Sequence, residues 1–375
     1  MSVVIPAYAA APYIRQTLDS VFAQTYPHFE VIVVNDGSPD TEQFETAIAP
    51  YAKRIVYLKQ ANRGPSVARN AGVLRAQGEF IAFLDSDDTW LPVYLEQQLQ
   101  ALGHGAGYDF IYCDAMLLLE DKPSGQTFMQ GSASRGPVTF DSLLSLDCIV
   151  ILSCTVVRRE VLVKAGLFDE RFWHCEDFDL WLRTAFAGAR MTFQREVLAC
   201  HRLRKGSLSA SAQSMREARK QVYEKTIAAL ALNETQRSVA SQMLRHWSAR
   251  IELENGKRLL IERDYANARS RLRAANSYFH SGKISALIAL LAVAPAPAHR
   301  LYDVYLRKLS SRSQNANTAP SLISPVADLK DFFHADSADL NSAGPDLSHP
   351  DSSGAHRAKP DLPKSDLPNP DLSNL

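Results

Sequence analysis

Three carboxylates within four positions, Asp85, Asp87 and Asp88, directly follow the apolar run Phe80-Ile81-Ala82-Phe83-Leu84. Like charges this close repel, so water, a helix N-terminus or a cation must offset them. A hard divalent ion such as Mg2+ or Mn2+ is the usual partner of such oxygens. The apolar run reads as a strand buried on both faces, which puts a metal site at the carboxyl end of a central strand. A helix start is the competing reading. Thr89 can cap a helix over about Leu91 to Leu102, with Pro92 in its first turn and Gly103 just past its end, and acids are favourable there too.

Other acids stand at comparable places. Glu30-Val31-Ile32-Val33-Val34 reads as a buried strand that ends in Asn35-Asp36-Gly37-Ser38, where Asp36 is either a turn former or a ligand contact. A strand over Asp109 to Cys113 ends in Asp114. Later, Phe178, Trp181, Leu182, Ala185 and Phe186 fall at i, i+3, i+4, i+7 and i+8, so a firmly docked helix holds Glu176 and Asp177 at its N-terminus. Acids there either complement the helix dipole or, facing the same rim as a metal, take a proton from an acceptor hydroxyl.

Strand and helix signals alternate through the first 115 residues, as expected of an open α/β sheet that is mostly parallel and flanked by helices. Val3 to Pro6 opens the sheet, and Ile14, Leu18, Val21 and Phe22 mark a helix ending near Gln24. A helix over about Thr41 to Tyr51 leads to a strand over Ile55 to Leu58, and Gly64-Pro65 opens a helix that carries Arg69 and Asn70 one turn inside. Ligands of such sheets bind outside the carboxyl ends of the strands, where Asp36, the Asp85 cluster and Asp114 are expected to meet. There is no GxGxxG and no GxxxxGK[ST], so neither a dinucleotide fingerprint nor a P-loop is present.

The 375 residues suffice for two domains, or for one with appendages. Five widely spaced cysteines without a CxxC pair suggest neither a disulfide framework nor structural zinc, and fit a reducing, cytoplasmic setting. No signal peptide is evident, and the longest apolar run, Ile284 to Ala294, is too short to cross a bilayer. The net charge of zero hides a partition: net −8 over residues 1–200, +13 over 201–312 and −5 over 313–375. The basic segment suits an anionic membrane surface or acceptor, or is a solvated set of helices. No nucleic-acid partner is expected.

Taken together and in order, these motifs resemble glycosyltransferase family 2, whose members have a GT-A fold. The resemblance covers roughly residues 2 to 210. It rests on Val-Val-Ile-Pro-Ala-Tyr at 3 to 8, Gln24-Thr25-Tyr26, Val-Val-Asn-Asp-Gly-Ser at 33 to 38, Asn62-Arg63-Gly64 with Ala68-Arg69-Asn70-Ala71-Gly72, Phe-Leu-Asp-Ser-Asp-Asp at 83 to 88, and Glu176-Asp177 with Leu180-Trp181-Leu182-Arg183. It implies a nucleotide-diphosphate-sugar donor, with Asp36 on the base or ribose, Asp85-Ser86-Asp87 on ribose and a bridging Mg2+ or Mn2+, and Glu176-Asp177 supplying the base of an inverting transfer. Asp87 is the expected metal ligand and Asp177 the expected base, with Glu176 orienting it or the acceptor. Pro6, Tyr8, Asn62, Gly64 and Arg69 fall in the same donor motifs.

Two departures stand out. Ala9 occupies a place where the family often has Asn. The segment Cys200 to Ser209 resembles the family's Tyr-Arg-x-(His or Arg)-x-Gly-Ser-x-Ser ending with His201 in the Tyr place, which makes Arg204 and Ser207 candidates to reach the diphosphate or to shape a closing loop and gives His201 a structural role.

Three domains are expected: the GT-A unit over 1–210, a basic helical region over 211–312 that either packs on it or lies in a membrane interface, and a low-complexity tail over 313–375 with recurring Pro-Asp-Leu, expected to be disordered. The function this implies is metal-dependent inverting transfer of a sugar from a nucleotide-diphosphate sugar, a UDP-sugar being one candidate, to a hydroxyl of a glycan or lipid-linked acceptor in surface polysaccharide or glycoconjugate synthesis. The alternatives are a sugar nucleotidyltransferase, which should show a Gly-rich basic loop after the first strand, and a non-catalytic nucleotide-sugar-binding module, which should show damaged acids.

Overall fold

The computed structural model describes residues 1–304 apart from 104–106, 120, 133, 205–206 and 208–209. The tail with its Pro-Asp-Leu repeats, Tyr305 to Lys308, and Lys205, Gly206, Leu208 and Ser209 lie outside the described residues.

A mixed sheet organises the N-terminal two thirds. Its strands are β1 (Ser2–Ala7), β2 (Glu30–Asp36), β3 (Ile55–Gln60), β4 (Phe80–Phe83), β5 (Thr89–Trp90), β6 (Phe110–Leu119), β7 (Lys122–Thr127), β8 (Thr155–Arg158) and β9 (Met191–Leu203). Their order is β3-β2-β1-β4-β8-β6-β9-β5, with β7 beside β6. β3, β2, β1 and β4 run parallel, so the ends that carry Tyr8, Asp36 and Asp85 share one rim. Val3 to Ile5, Val31 to Val34 and Ile81 to Phe83 are fully or almost fully buried, as expected of strands covered on both faces.

Close helix–sheet packing explains the Ala68-Arg69-Asn70-Ala71-Gly72 motif. In the Pro65–Arg75 helix, a Cβ on Gly72 would lie 2.4 Å from Val4 Cγ1, so only glycine lets the helix seat on β1. Filling such a contact costs about 1–3 kcal/mol. Ala68 is fully buried beside it, and the Asn70 side chain exchanges two hydrogen bonds of 2.9 Å with the backbone of Phe168. This helix thereby fixes the segment leading to Glu176.

Two expectations fail. Thr89 does not cap a helix: Thr89 and Trp90 pair antiparallel with Cys200 and Ala199 of β9, and the helix begins only at Tyr94 (Tyr94–Gly103). The Trp90 indole N–H donates to the Ser153 carbonyl at 2.7 Å, and the Pro92 carbonyl accepts from Thr25 N–H, contacts that a helix start at Leu91 would sacrifice. Asp114 is not at a strand end either. β6 continues to Leu119, and at a bulge against β9 Asp114 turns its carboxylate onto the N–H groups of Ala115 and Met129, both at 2.8 Å.

Helices Ala212–Ala229, Glu234–Ile261, Tyr265–Phe279 and Gly282–Val293 follow the sheet. The first packs on the sheet domain through Val222 and Tyr223, both fully buried, and the Tyr223 hydroxyl donates to the Leu144 carbonyl at 2.8 Å. The turn expected near Arg263-Asp264-Tyr265 separates the second and third, with Arg263 at φ +65°. The Gly282–Val293 helix is partly buried against its neighbours through Leu291, while Val293, Leu301 and Val304 are exposed, Val293 by 86%. Among the described residues, no helix is long and apolar enough to cross a membrane.

Candidate active site

Asp36, the last residue of β2, is buried and holds a loop in place. Its carboxylate accepts from Gln60 Nε2 at 2.7 Å and from the N–H groups of Arg63 at 3.0 Å and Gly64 at 2.8 Å. Asn62 Oδ1 also accepts from Gly64 N–H, at 3.3 Å, and Asn62 itself is exposed. Gly37 permits this approach, since a Cβ at its φ of +64° would lie 2.4 Å from the Asn62 nitrogen. On the neighbouring strand, Pro6 pairs with Val34 next to the rim and Tyr8, just beyond it, is 49% exposed. The loop after Tyr8 is tied to the same turn by Ala9 N–H donating to Ser38 Oγ at 2.6 Å. Ala9 has φ +50°, a conformation that Asn tolerates better than Ala, which is a physical reason for the family's preference there.

The strand-end cluster separates into three carboxylates with three different partners. Asp85 accepts from Arg69 Nη2 at 2.8 Å, and its own N–H donates to Ser153 Oγ at 3.1 Å. Asp87 pairs with Arg204 Nε. Burial, and then the neighbouring charges of Asp88 and Asp85, push its pKa up to about 6 against the pull of Arg204. Asp88 is buried and accepts from Arg202 N–H at 2.8 Å and pairs with His201 Nδ1 at 2.9 Å. Burial alone would raise its pKa, but His201 more than offsets this and holds it below the usual carboxylate range. The imidazole is correspondingly held charged: burial opposes protonation and Asp88 overrides it. Asp88 is thus the seat of a buried ion pair rather than an acid at the start of the next helix. Ser86 is buried, with its carbonyl accepting from the Thr17 hydroxyl at 3.0 Å.

Arg69 joins this cluster to the second acid pair. Its guanidinium, buried under Phe168, reaches Asp85 with one nitrogen and Glu176 with the other. Glu176 and Asp177 open the Glu176–Phe186 helix behind Cys175, which sits in the left-handed region at φ +56°. Their environments differ sharply. Glu176 is buried and salt-bridged, whereas Asp177 accepts only from Phe178 N–H at 2.8 Å and has no ion-pair partner among the described residues. Burial, then Glu176, push the Asp177 pKa up to about 7 against the pull of Arg69. Asp177 thus adjoins Glu176, which Arg69 ties to Asp85 of the strand-end cluster.

The site also contains residues the sequence did not single out. Ser153 anchors both Asp85 and Trp90, and nothing local marks it. Arg202 donates to the Asp87 carbonyl at 2.8 Å, and both Arg202 and Arg204 lie over the Tyr13 ring, at 5.0 and 4.7 Å. Arg202 lies in the last residues of β9 and Arg204 just past its end, and this two-residue spacing is the signal that both could turn to one side. Ser207 Oγ donates to the Arg204 carbonyl at 3.1 Å.

The donor set fits a divalent ion that arrives with a diphosphate. No group of three or more His, Cys, Asp or Glu side chains capable of holding a metal exists among the described residues. Mg2+-type ions at phosphate sites, however, take only one or two carboxylates and complete their shell with phosphate oxygens and water. Asp87, crowded by Asp88 and Asp85 and paired with Arg204, and Asp85 are the carboxylates that would supply those one or two contacts.

Comparison with known proteins agrees with this geometry. Residues 2–165 match the family model described as Glycosyl transferase family 2. A Bacillus subtilis glycosyltransferase named for teichuronic acid biosynthesis, TuaG, is 32% identical over 217 residues, covering 56% of this chain and 82% of its own. Five Rickettsia proteins named as uncharacterized glycosyltransferases are 30–34% identical, and the matches cover 29–64% of their length. Among solved structures, Staphylococcus aureus TarS 1–349 in complex with UDP superposes with a TM-score of 0.53 at 19% identity, over 82% of this chain and 91% of that one. The mannosyltransferase PcManGT of Pyrobaculum calidifontis, in complex with GDP-Man and Mn2+, gives 0.55 at 19% identity over 89% and 87%. These likenesses carry the GT-A fold, and with the sequence match to TuaG they establish that the chain belongs to glycosyltransferase family 2.

Proposed function

We propose that the protein transfers a sugar from a nucleotide-diphosphate sugar to a hydroxyl of a glycan or lipid-linked acceptor, with inversion at the anomeric carbon. The observation that carries this reading is an acid cluster paired with cations and joined through Arg69 and Glu176 to Asp177, a carboxylate without an ion-pair partner among the described residues. In the step we propose, the acceptor oxygen bonds to the anomeric carbon as its proton passes to Asp177. The bond from that carbon to the diphosphate breaks, and its electron pair leaves with the nucleotide. A carboxylate raised to about 7 is a stronger base than an ordinary one yet still half ionised near neutrality. Glu176, held by Arg69, orients the helix end, and its proximity raises the proton affinity of its neighbour.

Asp36, Tyr8, Pro6, Asn62 and Gly64 form the nucleoside side of this arrangement, with Arg69, Asp85 and Ser86 between nucleoside and base. Asp87, with Asp85, would hold Mg2+ or Mn2+ on the diphosphate, and that ion would neutralise the charge of the departing group. Arg204, released from Asp87, would face the same phosphates. The TuaG relative supports a role in surface polysaccharide synthesis, and the Mn2+ in PcManGT supports divalent metal use. A screen of nucleotide sugars by calorimetry is expected to find at least one that binds in the presence of Mn2+ or Mg2+ and not in EDTA. Asp87→Ala should weaken that binding by at least about tenfold, equivalent to some 1.4 kcal/mol. If no nucleotide sugar binds with either metal, the reading fails.

The exposed Val293, Leu301 and Val304, flanked by Lys283 and Arg300, support peripheral contact with an anionic membrane on the cytoplasmic side. Flotation should recover the protein with vesicles rich in anionic lipid and not with neutral ones. Equal recovery from both, or from neither, removes this part of the proposal.

A further inference from the structure

Three of the four tryptophans are buried: Trp90, Trp181 and Trp247 are between 0 and 3% exposed. The fourth, Trp173, is 47% exposed, four residues before Asp177 and against the Gly64 backbone that Asp36 holds. An indole half exposed beside the candidate base offers a flat, electron-rich surface to a ring-shaped ligand.

The indole is mounted from one side. A Cβ built on Gly64 would lie 3.2 Å from Cε2 and 3.3 Å from both Cδ2 and Cζ2 of Trp173. Similar distances to three ring atoms, two of them at the ring fusion, place the Gly64 backbone over the face of the ring rather than at its edge. Gly64 is itself pinned by Asp36, and Phe172, next to Trp173, is pinned through its carbonyl, which accepts from Ser66 Oγ at 2.8 Å. The ring is therefore held by the Asn62–Gly64 loop on one face and presents the other to solvent.

We propose that the open face of Trp173 is the platform for the acceptor sugar, an inference that rests on the transferase reading above. The face of an indole is electron-rich, and the C–H groups on one side of a pyranose ring carry the complementary partial positive charge, so the two stack. The platform leads directly into the helix that presents Asp177, and the base must lie beside the acceptor hydroxyl. A nucleobase is the other planar or ring-shaped candidate. It is better served by Tyr8, which is exposed beyond β1 and whose following residue is hydrogen-bonded to the Asp36 turn. Trp173 would then set which acceptor ring, and which of its faces, meets the base.

Full-length protein carrying 5-fluorotryptophan should give four fluorine resonances, of which Trp173→Phe removes one and assigns it. With Mg2+ present, UDP or GDP alone should leave that resonance in place. A panel of methyl glycosides of hexoses and N-acetylhexosamines, added to the nucleotide complex, should contain at least one that moves it saturably. Trp173→Ala should weaken that glycoside about tenfold, read from ligand resonances, with Trp173→Phe intermediate. The assignment is overturned if nucleotide alone moves the Trp173 resonance as strongly, or if no glycoside moves it. Failure of either nucleotide to bind, seen on the same sample, would instead strike the transferase reading.

Discussion

The two acidic clusters at the rim are built on opposite terms. At the end of β4, each carboxylate contacts a cation: Asp85 shares Arg69 with Glu176, Asp87 has Arg204 and Asp88 has His201. At the start of the Glu176–Phe186 helix, two adjacent carboxylates have one cation between them, and Arg69 gives its contact to Glu176. The first arrangement holds negative charge in a fixed place, which suits a cationic ligand. The second leaves one carboxylate with a proton affinity near neutrality, which suits proton transfer. Arg69 belongs to both, so the charge of one cluster is felt in the other.

Substitutions should affect the two clusters in opposite ways. Asp177→Asn is expected to cut transfer by about 10²–10⁴-fold, the usual contribution of a general base, while nucleotide binding is kept. It should also raise thermal stability above pH 7. A carboxyl whose folded-state pKa lies above its unfolded value favours folding while protonated, and that contribution is lost as pH rises through about 7. Transfer near the wild-type rate in Asp177→Asn would move the base to another residue. Arg69→Ala should do the reverse to stability. It leaves Asp85 and Glu176 without their shared cation and should cost about 3–5 kcal/mol in chemical denaturation. A loss below about 1 kcal/mol would mean that the two clusters are not joined through Arg69.

Much of this was legible in the sequence because it is local. Apolar runs ending in acids gave Asp36 and Asp85 their positions at strand ends, and helical spacing from Phe178 to Phe186 placed Glu176 and Asp177 at a rigid helix start. What was not legible depends on partners far along the chain. Thr89-Trp90 reads as a helix cap until β9, some 110 residues later, pairs with it. Asp88 looks like a helix-start acid until His201 and Arg202 arrive beside it. Asp114 looks like a rim residue because the apolar pattern pauses there, whereas the strand continues through a bulge that gives its carboxylate two backbone partners. That Arg69 bridges Asp85 and Glu176, 107 positions from the latter, is beyond any local pattern.

The central claim is that Asp177 is the base and that its environment sets its proton affinity. The most direct measurement is the pH dependence of kcat/KM for transfer, or for donor hydrolysis, between pH 5 and 9 with wild type and Asp177→Asn. A base must be ionised, so wild-type activity should rise with pH through an apparent pKa near 7, and the residual activity of Asp177→Asn should lack that rise. A wild-type profile flat across pH 5 to 8, or the same limb near pH 7 retained in Asp177→Asn beyond the lower one that Asp87 supplies near 6, would contradict the account.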